Sequence, residues 1–135
     1  SLIAIRIMGM AYLHRKQYEK ATEYLELASK LSHEAVFNQV DLINLYTAKG
    51  NFEEADGIME DLRSRLNDGK YVSPCIMSFA AGFLGNIDEA IDWLKKAYDQ
   101  QDAYLCILKY YPFVPRKLRQ DDRFRSFLDK MNFPE

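Results

Sequence analysis

Gly50-Asn51-Phe52-Glu53-Glu54-Ala55 recurs 35 positions later as Gly85-Asn86-Ile87-Asp88-Glu89-Ala90. A looser copy, Lys16-Gln17-Tyr18-Glu19-Lys20-Ala21, stands 34 positions before the first. Each copy reads as the junction between two helices. Gly50 and Gly85 can take the left-handed conformation that closes a helix C-terminus. Acidic residues then fill the next first turn, where the positive end of the helix dipole favours them. The closing Ala lets two helices approach closely.

Working outward, the apolar positions keep one set of offsets. Tyr18, Ala21, Leu25 and Ala28 are matched by Phe52, Ala55, Met59 and Leu62, and again by Ile87, Ala90, Leu94 and Ala97. Such spacing is one stripe of an amphipathic helix. The preceding segments, Leu2 to Arg15, Glu34 to Lys49 and Ser73 to Leu84, complete three helical hairpins. Ser73-Pro74 opens the last of them with a capping hydroxyl and a proline at the first helical position. Asn67-Asp68-Gly69-Lys70 is a turn signal that accounts for the extra residue in the period. The fold class expected is all-α: hairpins over about 2–35, 36–69 and 70–101, then a helical cap over 102–135, in one domain spanning 1–135.

Helix pairs at this period, with Gly-x-x-Tyr followed by Ala-x-x-x-large, resemble the tetratricopeptide repeat. Gly9, Tyr12, Ala21, Leu25 and Ala28 fall on signature positions; Ile5 and His33 stand where the pattern prefers Trp and Pro. The second copy keeps Tyr46, Ala55 and Met59, with Ile43 in place of the glycine. The third keeps Ala90, Leu94 and Ala97. The resemblance implies a right-handed superhelix whose first helices line a concave groove for a peptide or helix. Carried across, the groove positions are Ile3, Arg6, Met10, Leu13 and His14, then Phe37, Val40, Asn44, Thr47 and Ala48, then Val72, Cys75, Phe79, Gly82 and Phe83. This lining is mostly apolar. A carboxylate clamp needs several cations, and here Arg6 and Asn44 are the main polar groups. An apolar or amphipathic segment fits better, unless the chain's own tail fills the groove.

Residues 102–135 break the period. Ala103 to Tyr110 is apolar, and a final helix from about Asp122 to Met131 carries Phe124, Phe127, Leu128 and Met131 on one face, with Asp121 or Asp122 as its cap. A solenoid needs such an end unit to cover its last apolar face. Pro112 to Val114, Leu118-Arg119 and Asp121-Asp122-Arg123-Phe124 further resemble a C-terminal module of bacterial regulators. That likeness implies a cytoplasmic fragment of a winged-helix regulator, nucleotide cyclase or serine/threonine kinase, in signalling or transcription regulation. Ser1 to Ile5 enters a helix at once, which also reads as an excised piece. Its apolar edge, Leu2, Ile3, Ile5 and Met8, would otherwise stand bare.

Chemistry is not apparent. His14 ends a helix and His33 lies in a turn, so both read as solvated. The acid pairs Glu53-Glu54, Asp88-Glu89 and Asp121-Asp122 sit at helix starts, where capping explains them. No phosphate-binding glycine loop or nucleophile elbow occurs. The two cysteines, Cys75 and Cys106, read as buried free thiols. Trp93 reads as packing. Arg116, Lys117, Arg119, Arg123 and Arg125 mix with Asp121, Asp122 and Asp129 in what reads as a solvated face. With 18 basic and 20 acidic residues there is no field to draw a polyanion, so no nucleic acid is expected. Arg6 interrupts the most apolar run, and no membrane span or signal peptide is expected. The reading is therefore a non-enzyme without cofactor or metal, binding a protein or peptide. Self-association as a homodimer, or a small-molecule sensor, are its alternatives.

Overall fold

The computed structural model describes residues 1–131. It is all-α and tetratricopeptide-like, with no strand among the described residues. The elements are α1 (Leu2–His14), α2 (Tyr18–Leu31), α3 (Val36–Lys49), α4 (Phe52–Asn67), α5 (Pro74–Phe83), α6 (Ile87–Asp99), a 3-10 turn (Ala103–Ile107), α7 (Arg116–Arg119) and α8 (Asp122–Lys130). They form two compact units, the first ending at Lys70 and the second beginning at Tyr71. None of the described helices is long and apolar enough to cross a membrane.

In the first unit α1 packs on α2, α2 on α3 and α3 on α4. The stripes read from the sequence form its core: Ala21, Leu25 and Ala28 of α2, with Ala55, Met59 and Leu62 of α4, are buried. Each fully buried Leu contributes about 1.5–3 kcal/mol. Phe52 departs from the stripe. It is the first residue of α4 and 61% exposed.

The three repeated junctions share one backbone solution, which the ends of α2, α4 and α6 use as well. Lys16, Gly50 and Gly85 have φ of 60°, 80° and 85°. The following amide turns back on the helix each time, Gln17 N to Tyr12 O at 2.9 Å, Asn51 N to Tyr46 O at 2.8 Å and Asn86 N to Ala81 O at 2.9 Å. This pairing satisfies carbonyls that the helix end would orphan. Lys16 adopts it without glycine, at a cost of about 1–2 kcal/mol. Glu34 was expected in α3 but has φ of 58°, which no helix accommodates; α3 starts at Val36, two residues on.

In the second unit α5 pairs with α6, α7 packs on both, and α8 follows on α7. Ser73 caps α5 as its sequence suggests, accepting from Ile76 N at 3.3 Å. Ala90, Leu94 and Ala97 are buried. Buried Asp102 ties the tail to this cap: it accepts from Ser73 Oγ at 2.6 Å, Cys75 N at 3.0 Å and Tyr104 N at 3.0 Å. Asp121 caps α8 through Arg123 N. Phe124 and Phe127 are buried, Leu128 and Met131 half-buried.

Candidate partner-binding surface

The inner stripe of α1 runs Ile3, Arg6, Met10, Leu13, and that of α3 runs Phe37, Val40, Asn44, Thr47. Ile3 is 71% exposed. His14 and Ala48 are exposed, and Phe37, Asn44 and Thr47 are half-buried. Met10, Leu13 and Val40 are buried. That corrects their expected place on an open groove: they hold the first unit together. Thr47 donates its hydroxyl to Asn44 O at 2.9 Å.

Arg6 is the central polar group, and its charge is met from within. Its Nη2 lies 3.0 Å from Asp41 Oδ1, and its Nε donates to Asp41 Oδ2. The Phe37 ring lies against the guanidinium, 4.3 Å from centroid to Cζ. Asp41 is nearly covered, and burial raises its carboxyl above the ordinary value while the Arg6 hydrogen bond and charge pull it down. Sequence reading passed over Asp41. A lone acid among the apolar residues of α3 was the available signal, since a buried carboxylate needs a partner.

In the second unit the tail occupies the inner face of α5. Tyr111 stacks on Phe79 with ring centroids 5.8 Å apart, and Phe113 meets Tyr111 edge-on at 5.5 Å. Pro115 lies so close to Gly82 that an added methyl would stand 2.8 Å from its Cγ. Val72, Cys75 and Phe79 are buried, so these three offer no open lining; Phe83 stays half-buried. Arg119, expected on a solvated face, instead donates to the carbonyls of Leu108, Lys109 and Tyr111 and so shapes the tail. Arg123 and Arg125 do pair with acids, Arg123 with Asp88 and Asp121 and Arg125 with Asp122.

Other candidates fall into place. Cys75 is buried, and burial pushes its thiol well up, whereas Cys106 is exposed, against expectation. Trp93 is half-buried on α6, its indole donating to Glu89 Oε2 at 3.0 Å. Between α6 and α8 lies a cleft of about 410 Å³ lined by Ile91, Leu94, Tyr98 and Phe127, with Lys95 and Lys130 among its polar groups. His14 and His33 are exposed. Among the described residues, no cluster of three or more His, Cys, Asp or Glu could hold a metal ion.

No curated protein and no solved structure matches the chain. Residues 7–33, from the middle of α1 to the turn after α2, match the family model of the tetratricopeptide repeat. Over its first hairpin, then, this chain is similar to tetratricopeptide repeats, and its later hairpins repeat that unit's stripe and turn.

Proposed function

We propose that this chain is a non-catalytic protein-interaction module that takes an apolar or amphipathic peptide segment on the inner faces of α1 and α3. The observation that carries this reading is the Arg6–Asp41 pair. Because Asp41 already pairs with the guanidinium charge through Nε and Nη2, the surface has little to offer a carboxylate. What it presents is the Ile3 side chain, the half-buried Phe37 ring and the small polar groups of Asn44 and Thr47. Such a surface rewards a partner that buries one or two large apolar side chains.

The test is selection of binders from a displayed random-peptide library against the intact chain. Enriched peptides should carry large apolar residues, and Phe37→Glu or Ile3→Glu should weaken them at least about tenfold, the scale of one anchor side chain. Binders indifferent to both variants would overturn the reading. In the wider form of this proposal, the module serves a bacterial cytoplasmic regulator. The likeness of Pro112 to Phe124 to the ends of such proteins supports that form.

A further inference from the structure

The cleft between α6 and α8 is built from two helix stripes. Ile91, Leu94 and Tyr98 recur at helical spacing on α6, and Arg123, Phe127 and Lys130 do so on α8. Side chains span the gap between them. Arg123 Nη1 lies 2.8 Å from Asp88 Oδ1 in the first turn of α6, and Phe127 meets Tyr98 edge-on with centroids 6.0 Å apart. Ile91, Leu94 and Phe127 form a buried apolar floor, beside which the Tyr98 ring is 39% exposed. The volume of about 410 Å³ suits a small molecule, whose sites span about 300–1,000 Å³.

Charge around this floor is unbalanced. Arg123 is matched by Asp88 and Asp121. Lys95 and Lys130 also line the cleft, and neither forms an ion pair among the described residues. Asp99 is the acid of the lining. Two ammonium groups against one carboxylate leave a single positive charge uncompensated. The Tyr98 ring holds part of it at the cleft: Lys130 Nζ sits 4.2 Å from the ring centroid. Ser126 adds an exposed hydroxyl to the same lining.

We propose that this cleft binds a small amphiphilic anion, an apolar chain or ring laid against Tyr98, Ile91 and Phe127, with one carboxylate reaching Lys95 and Lys130. Burial of the apolar part supplies affinity, and the unmatched charge selects an anion over a neutral molecule of the same shape. The cleft shares no residue with the inner faces of α1 and α3, so it stands or falls independently of the peptide reading.

The probe is octanoate, titrated into the isotope-labelled intact chain beside 1-octanol and octylammonium, which share its chain length and differ in charge. Millimolar octanoate should shift the amide signals of Ile91, Lys95, Tyr98, Ser126 and Phe127. Octanol should bind severalfold more weakly, and octylammonium more weakly still. The double variant Lys95→Glu/Lys130→Glu should lower the preference for octanoate over octanol about tenfold. Ser126→Trp, which fills the cleft from its exposed rim, should weaken both. No shift at millimolar octanoate, equal affinity for the three probes, a preference untouched by the lysine variant, or shifts centred on Ile3 and Phe37 would overturn the assignment. So would binding to phosphatidylglycerol vesicles in preference to dissolved octanoate, because a membrane surface would then be the occupant.

Discussion

Arg6 on α1 and Asp41 on α3 are joined through both carboxylate oxygens, which makes the contact between successive hairpins partly ionic. Removing one partner strands the other in a low-dielectric site. Arg6→Met should cost about 2–3 kcal/mol, less than a fully buried pair because Arg6 keeps some solvent contact. The double variant Arg6→Met/Asp41→Leu should recover most of that loss. Urea unfolding of both variants checks this.

The same pair has a pH signature. Burial raises the folded-state value of Asp41 against the opposing pull of Arg6. A carboxyl raised on folding holds its proton more tightly in the native state, so its stability contribution falls as pH climbs through the folded value. In Arg6→Met the opposing pull is gone and the folded value rises further. The stability gap between variant and parent should therefore narrow from about pH 7 to about pH 4.5. Unfolding curves at the two pH values decide; a constant gap would contradict the burial of Asp41 as the cause.

Two glycines should answer the same substitution in opposite ways. A methyl at Gly9 would stand 2.6 Å from Leu25 Cδ2 and 3.2 Å from Tyr24 Cβ, while at Gly57 it meets nothing within 4 Å. Overpacking costs about 1–3 kcal/mol and the helical gain is at most about 1 kcal/mol, so Gly9→Ala should lower the melting temperature. Gly57→Ala should add about 0.5–1 kcal/mol of stability and raise it.

Gly82→Ala tests how the tail is seated. Pro115 is rigid and cannot yield as a flexible side chain would. The variant should lift the tail from α5 and loosen the stacking of Tyr111 on Phe79. Hydrogen exchange should quicken over residues 108–119 and stay unchanged over α1 and α2.

Thiol labelling should separate the cysteines. Cys106 is exposed, while Cys75 is buried with its thiol pushed up. The native chain should take one equivalent of a thiol-specific reagent rapidly and the unfolded chain two, as read by intact mass.

The hairpins were legible because their signals are local. Ala21, Ala55 and Ala90 mark the phase of helices that need only their own spacing to be recognised. Phe79 was not legible as a covered residue, since it follows the same spacing as an open groove position and Tyr111, which stacks on it, stands 32 positions on. Asp102 and Arg119 likewise act on groups brought near by the turn of the tail. Cys106 has apolar neighbours in sequence, but the short 3-10 turn points it outward. Long-range pairing, more than propensity, separated expectation from structure.

The seating of Tyr111 and Pro115 on α5 also gives the array a direction of growth. A hairpin duplicated after α6 would be inserted ahead of the tail and would separate these residues from the surface they fit. A hairpin duplicated before α5 would leave them undisturbed. Descendants of this chain should therefore lengthen at the front, and their last hairpin should keep its glycine opposite the proline longest.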